Sequence, residues 1–394
     1  MQPGAKKTVW SEPCHARRSA TLSHFTNMWN AAAETLLEAE QAIALVGRAS
    51  PANAADELLR FARAYAARDE HKLQSPARAP LDLSATRRAL ALLAERAINL
   101  GVYGTLHAER ALELELEARL AENLDQPGFH VLAAERFPVP SGKLAVACDA
   151  FVEAALTLVP GGSERRHRSD DRADPGSLIR RLERSARELA LPLRIEVRGG
   201  QFATAATGEG FVAVRPGVQL SAAVSERITL HELLGHALPR ARARTQPLSF
   251  LRAGSAGAAD DEEGRALLIE RRGRLFDAER QRELAFRHRA ALAVRDGAGR
   301  FELVDLLLGL GAERDAAFEI ALRAARGGGL ARELVYLPAY FQVERALERE
   351  PGLERWLERG RLSLAAARLF ASGGLDADVL GCDPLPQSST STGA

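Results

Sequence analysis

The sequence predicts a mainly helical α+β fold, with a helical N-terminal lobe followed by a small β-sheet next to one chemically distinctive helix. Three observations carry that expectation. Apolar residues recur at three- and four-residue spacing through most of the chain. Alternation suited to strands is confined to residues 193–220, and the segment His231-Glu232-Leu233-Leu234-Gly235-His236 follows it closely.

Taken in order, residues 1–27 mix Pro, Ser, Thr, His and Arg without periodicity and read as a disordered tail, unless Met28 marks the true start. Helical spacing occupies 31–46, 55–67, 85–100, 105–124 and 144–158, punctuated by Gly101, Gly104, Pro138 and Pro140. These segments make up the helical lobe, 28–190. Residues 160–175 combine Arg165, Arg166 and Arg168 with Asp170, Asp171 and Asp174 and read as an exposed connection. After a helix at 178–189, the stretches 193–197, 211–214 and 218–220 carry strand character across Gly and Pro breaks. They open a second lobe, 191–382, in which helices return from Asp261. Residues 383–394 read as a second disordered tail.

Composition excludes several classes of function. The 53 basic residues nearly balance the 52 acidic ones, so no global field favours nucleic acid or an anionic membrane. The Arg-rich segment near residue 165 lacks interleaved aromatics, which leaves it a solvated loop rather than a nucleic-acid patch. Arg dominates over Lys throughout, a bias given no functional weight. Cys14, Cys148 and Cys382 are few, scattered and odd in number, which argues against a disulfide framework. Cys148, in an apolar stretch, reads as a small core residue. With no run of about 18 apolar residues and no signal-peptide pattern, the expectation is a cytoplasmic protein.

The chemistry centres on His231, Glu232 and His236. Two neutral imidazoles and a carboxylate suit Zn²⁺, whose catalytic sites use three protein ligands and leave one position open. In the common zinc motif the two histidines are four residues apart, roughly 40° around a helix. Here the spacing is five, about 140° on a regular helix, so both rings face one ion only if the helix widens. A single π-type turn absorbs the extra residue, and Gly235 lets the backbone deform at low steric cost. Glu232 is the candidate general base that takes a proton from the attacking water. For the third ligand, Asp260-Asp261-Glu262-Glu263 opens a second helix on which Glu263 and Glu270, seven apart, share a face; either could reach the ion. The bland alternative is an amphipathic helix carrying one surface His, one core His and a solvated Glu232. His288 has no ligand spacing with another His and reads as a helix-face residue, and His107 and His130 read as structural or exposed.

The hexapeptide is identical to the zinc motif of dipeptidyl peptidase III, but that family separates its motifs much more widely. A fuller resemblance, over residues 28–371 and clearest from 211 to 337, is to the tyrosine carboxypeptidase family that includes the bacterial "QEGLA motif" proteins. Gln246-Pro247-Leu248 lies ten residues past His236, as in that family. Glu262-Glu263-Gly264-Arg265-Ala266 is similar to its Glu-Gly-Leu-Ala stretch. Arg326-Gly327-Gly328 and the run from Leu330 to Leu337 follow in the family's order. The resemblance implies a zincin-like zinc metallopeptidase and carboxypeptidase, with Glu263 as third zinc ligand and Glu270 in support behind the ligands. The expected partner is the C-terminus of a peptide or protein, with an aromatic last residue.

Within that resemblance, Arg326 and Arg332 are candidates to fork a terminal carboxylate with two charge-assisted bonds, and Gln246 is a further substrate-binding candidate. Tyr336 could donate to the developing oxyanion, or be a buried Tyr satisfied by the backbone. The chain departs from the family at Arg242-Ala243 (Asn-Gly there) and at Leu330, Ala331 and Arg332 (Phe, Thr and Lys there), changes that bear on substrate choice. Two further functions are carried: a zinc dipeptidyl aminopeptidase, and a non-catalytic zinc-binding regulatory protein.

Overall fold

The computed structural model describes residues 14–69, 78–161 and 165–372, with side chains from residue 28 onward. Helices Cys14–Ile43, Leu45–Ala49, Ala54–Ala66, Ser84–Ala97, Gly101–Glu122, Phe129–Arg136 and Gly142–Thr157 form the N-terminal part. The first of them begins inside the stretch expected to be a disordered tail. Residues 14–27 contain neither Gly nor Pro, so a helix nucleated by the packed residues that follow meets no break until Pro13. Residues 1–13 and the expected tail at 383–394 lie outside the described residues.

Five short strands follow among the described residues: β1 (Arg166–Arg168), β2 (Arg194–Val197), β3 (Ala205–Gly208), β4 (Phe211–Val214) and β5 (Gln219–Ser221). β4 is central in one sheet, parallel to β2 and antiparallel to β3, while β1 and β5 form a separate antiparallel pair. Thus part of the Arg-rich segment read as a loop is a strand, held by backbone pairing to β5 with Arg166 and Arg168 pointing to solvent. β5 runs directly into helix Ala222–Leu230, whose N-terminus is capped by Ser221 Oγ accepting from the N–H of Val224. The sheet therefore delivers the chain to the His231 segment.

One continuous apolar core joins both halves. Trp29, Leu36, Leu106 and Leu114 from the first helices pack with Phe250, Leu267, Leu337, Val343 and Trp356, so the boundary expected near residue 190 is not a break in packing. Cys148 lies in the same core, fully buried. A smaller core of Leu178, Leu182, Val212 and Val214 takes in Leu233 and Ala237, which fixes how the motif helix is rotated against the sheet. No helix among the described residues is long and apolar enough to cross a membrane.

Candidate metal and active site

The residues His231–Ala237 form a π-helical turn between helices Ala222–Leu230 and Leu238–Thr245, and the N–H of Leu238 donates to the carbonyl of Leu233, five residues back. This is the widening that the five-residue His spacing requires. Two features hold it. Pro239 has no N–H to return to the preceding turn, and Arg265, buried on the neighbouring helix Ala258–Arg272, donates to the carbonyls of Leu234 and Gly235 instead. Gly235 serves close approach rather than backbone freedom: a Cβ there would lie 2.6 Å from Cβ of Ala266. On the opposite side of the same helix, a Cβ on Gly264 would lie 2.4 Å from the backbone of Ala339, on helix Tyr336–Arg349. The helix carrying Glu263 is thus held against two neighbours at once.

That close packing brings together three side-chain atoms able to bind a metal ion. His231 Nε2 and His236 Nε2 are 3.3 Å apart, and Glu263 Oε2 lies 3.5 Å from the first and 3.8 Å from the second. A tetrahedral zinc ion with bonds of about 2.0–2.1 Å separates its ligand atoms by roughly 3.4 Å, so the triangle fits such an ion. His231, His236 and Glu263 are the one metal-competent group of His, Cys, Asp and Glu found among the described residues.

Both imidazoles are oriented from behind. His231 Nδ1 is 2.6 Å from Glu270 Oε1, and His236 Nδ1 is 3.4 Å from Glu262 Oε2. A carboxylate at Nδ1 keeps that nitrogen protonated and turns the Nε2 lone pair toward the common point. Glu270, fully buried, also receives two bonds from Arg280, from Nε at 2.8 Å and Nη2 at 2.9 Å. Burial alone would raise its pKa, but Arg280 and His231 bring it down to about 2. Burial likewise opposes the charge on Glu263, which Arg332 and the imidazoles hold well below the usual carboxylate range. Burial would lower His231, yet Glu263 and Glu270 push it up to about 10. Without a cation, this much buried carboxylate draws a proton onto the ring; a divalent ion answers the same demand.

Glu232 is buried within the π-turn, and its Oε2 accepts a 2.7 Å bond from Thr207 Oγ1 on β3. Arg332 donates to Glu263 Oε1 at 3.0 Å and to the Tyr336 hydroxyl at 3.2 Å, so Arg332 touches the site directly and Tyr336 is linked to it through that guanidinium. Arg287 and Arg332 flank the Tyr336 ring, their guanidinium carbons 5.2 and 5.8 Å from its centroid. Arg326 is placed differently. It pairs with buried Glu333 at 3.3 Å and lines a cavity of about 370 Å³ together with Pro51, Arg60, Arg78 and Arg300, none of them a metal-site residue. Gln246 ends the helix after the motif, its backbone N–H donating to Ala243.

Glu262, Arg265 and Arg280 went unrecognised as site residues in the sequence. The acidic quartet 260–263 pointed to a ligand without saying which neighbour supports it, and the Arg-rich composition masked the buried arginines. His288 is fully enclosed, not merely on a helix face; His107 is buried against Trp29 and Phe250 with Nδ1 2.7 Å from the Tyr103 carbonyl, and His130 is exposed.

No curated protein and no solved structure matches the chain. A sequence model of the family described as microtubule-associated tyrosine carboxypeptidase matches residues 60–374, which take in the whole of the site just described. The chain belongs to the microtubule-associated tyrosine carboxypeptidase family.

Proposed function

We propose that the chain is a zinc-dependent carboxypeptidase that removes a C-terminal aromatic residue from a peptide or protein. The observation that carries this reading is the triangle of His231 Nε2, His236 Nε2 and Glu263 Oε2, with a carboxylate behind each imidazole. Family membership supplies the reaction class, and the aromatic preference rests on the family description alone. Zinc held there would act as a Lewis acid on the scissile carbonyl and bring the pKa of water to about 7.

The chain's own residues do the rest. Thr207 occupies Oε2 of Glu232 and leaves the other carboxylate oxygen to take a proton from water as the water oxygen attacks the scissile carbonyl carbon. When the C–N bond breaks, Glu232 returns that proton to the leaving amine. Tyr336 keeps its proton and donates a hydrogen bond from its hydroxyl to the carbonyl oxygen as negative charge develops there, a bond that weakens again when the C–N bond breaks and the carbonyl re-forms. Arg332, beside both Glu263 and Tyr336, receives the substrate's terminal carboxylate.

The test is metal analysis of the purified protein combined with mass spectrometry of peptide pairs that differ only in a free or amidated C-terminus. About one zinc per chain and cleavage of only the free-ended, aromatic-terminated peptides is expected. Glu232→Gln should retain the zinc and lose about 10²–10⁴-fold in rate. Full activity without metal, or cleavage that needs a free N-terminus instead, overturns the proposal.

A further inference from the structure

Behind His236, a line of buried charges leads out of the site and into the first helix. Glu262 meets a cationic or N–H group at each oxygen: Oε2 accepts from His236 Nδ1 at 3.4 Å and from Arg240 Nη2 at 3.2 Å, and Oε1 faces Arg361 Nε in an ion pair at 3.6 Å. Glu262 Oε1 and Arg361 Nε are both buried, and neither has a hydrogen-bond partner, so each is the other's nearest recourse. The remaining two nitrogens of Arg361 form a bidentate pair with Glu40, Nη1 to Oε2 and Nη2 to Oε1, both at 2.6 Å. Glu40 also lies 3.2 Å from Arg110 Nη2. The guanidinium is therefore fixed by Glu40 in the one orientation that presents Nε to Glu262.

Glu40 lies on helix Cys14–Ile43, before the segment that matches the family at residues 60–374. Arg361 is itself anchored through its backbone, donating to the carbonyl of Leu251 and accepting from the N–H of Ser255. A side chain held at both ends transmits position, because a planar fork cannot rotate about one partner without leaving the other.

We propose that Glu40 is a positioning residue of the metal site, acting through Arg361 and Glu262 to hold the His236 ring with Nε2 toward the ion. The proposal rests on the metal-site reading above. It assigns to the first helix, beyond the family-matched segment, a share in metal affinity. Glu40 touches neither ligand nor substrate.

The experiment measures zinc affinity of the full chain by competition with a chelator, alongside thermal unfolding, for wild type, Glu40→Gln, Glu262→Gln and the double variant. Glu40→Gln should weaken zinc by about 10-fold while the metal-free protein stays folded. In the Glu262→Gln background the same change should have no further effect. Glu40→Asp, which keeps the charge but withdraws the carboxylate from Arg361, should weaken zinc in the same direction. Glu34→Gln, on the same helix as Glu40, removes only a surface pair with Arg252 of helix Phe250–Ala253; it is the control and should leave zinc affinity unchanged. Unchanged affinity in Glu40→Gln, additive losses in the double variant, or zinc loss that occurs only together with unfolding overturns the proposal. A wild-type protein that binds no zinc overturns instead the metal-site reading on which it rests.

Discussion

Gly235 and Ala266 meet across the two helical segments that carry His231, His236 and Glu263, with space for one methyl group between them and not for two. A Cβ at residue 235 would stand 2.6 Å from that of Ala266 and 3.3 Å from its Cα. Gly235→Ala should therefore push helix Ala258–Arg272 outward, carrying Glu263 away from the imidazoles. The expected cost is about 1–3 kcal/mol of stability, as for other overpacked sites, together with weaker zinc binding. Adding Ala266→Gly removes the colliding methyl and should restore most of both. Thermal unfolding and chelator competition on the single and double variants check this, and a double variant no better than the single would show that the glycine serves some other need.

Glu270 is shared between His231 and Arg280, so its removal acts on two accounts. In Glu270→Gln the His231 ring loses its anionic partner, and zinc affinity should fall by about 10–100-fold. Arg280, only 5% exposed, keeps Glu283 at 2.8 Å but loses its bidentate partner. Breaking a buried pair from one side typically costs about 3–5 kcal/mol, and the remaining Glu283 contact places the expectation at the lower end. Zinc-loaded and metal-free melts separate the two effects, since only the second persists without the ion.

What could be read from the sequence was periodic or chemically singular. The five-residue spacing of His231 and His236 demands a widened turn by geometry alone, and Glu263 and Glu270 fall on one helix face by their seven-residue separation. Most helices declare themselves by apolar spacing. β3 could not: Ala205–Gly208 is built from Ala, Thr and Gly, and exists because β4 supplies hydrogen bonds and Thr207 reaches Glu232. Arg265 stands where the resembled family carries Leu, and only the tertiary arrangement reveals that it satisfies carbonyls beside Pro239. Arg326 matches a family signature in sequence order yet pairs with Glu333, because the left-handed glycines Gly327 and Gly328 turn the chain between it and Arg332.

Glu40 makes a pH prediction. Burial alone would raise its pKa, but Arg361 brings it down from 4.5 to about 2. A carboxylate depressed in the folded state binds fewer protons there than in the unfolded chain. Its stabilisation is present above about pH 4.5 and is lost as the pH falls toward about 2. The stability difference between wild type and Glu40→Gln should therefore be largest near neutrality and shrink through that acid window. Unfolding midpoints of both proteins across the range provide the measurement; a gap independent of pH would mean that the charge on Glu40 is not what matters.

Tyr336 offers the sharpest separation of chemistry from binding. Its hydroxyl oxygen accepts from Arg332 Nη1 at 3.2 Å, which leaves its own proton to donate. Arg332 is meanwhile held to Glu263, so the phenol is tied to the ligand set through one guanidinium. A donor aimed at charge that exists only in the transition state affects kcat and leaves ground-state binding alone. Tyr336→Phe should therefore lower kcat by about 10²–10³-fold, with KM and zinc content close to wild type, because the ring between Arg287 and Arg332 is retained. Arg332→Ala should instead raise KM for peptides with a free C-terminus and also weaken zinc, since it removes a partner of Glu263. If Tyr336→Phe raises KM and leaves kcat untouched, the hydroxyl binds substrate in the ground state and the oxyanion donor must be sought in another residue.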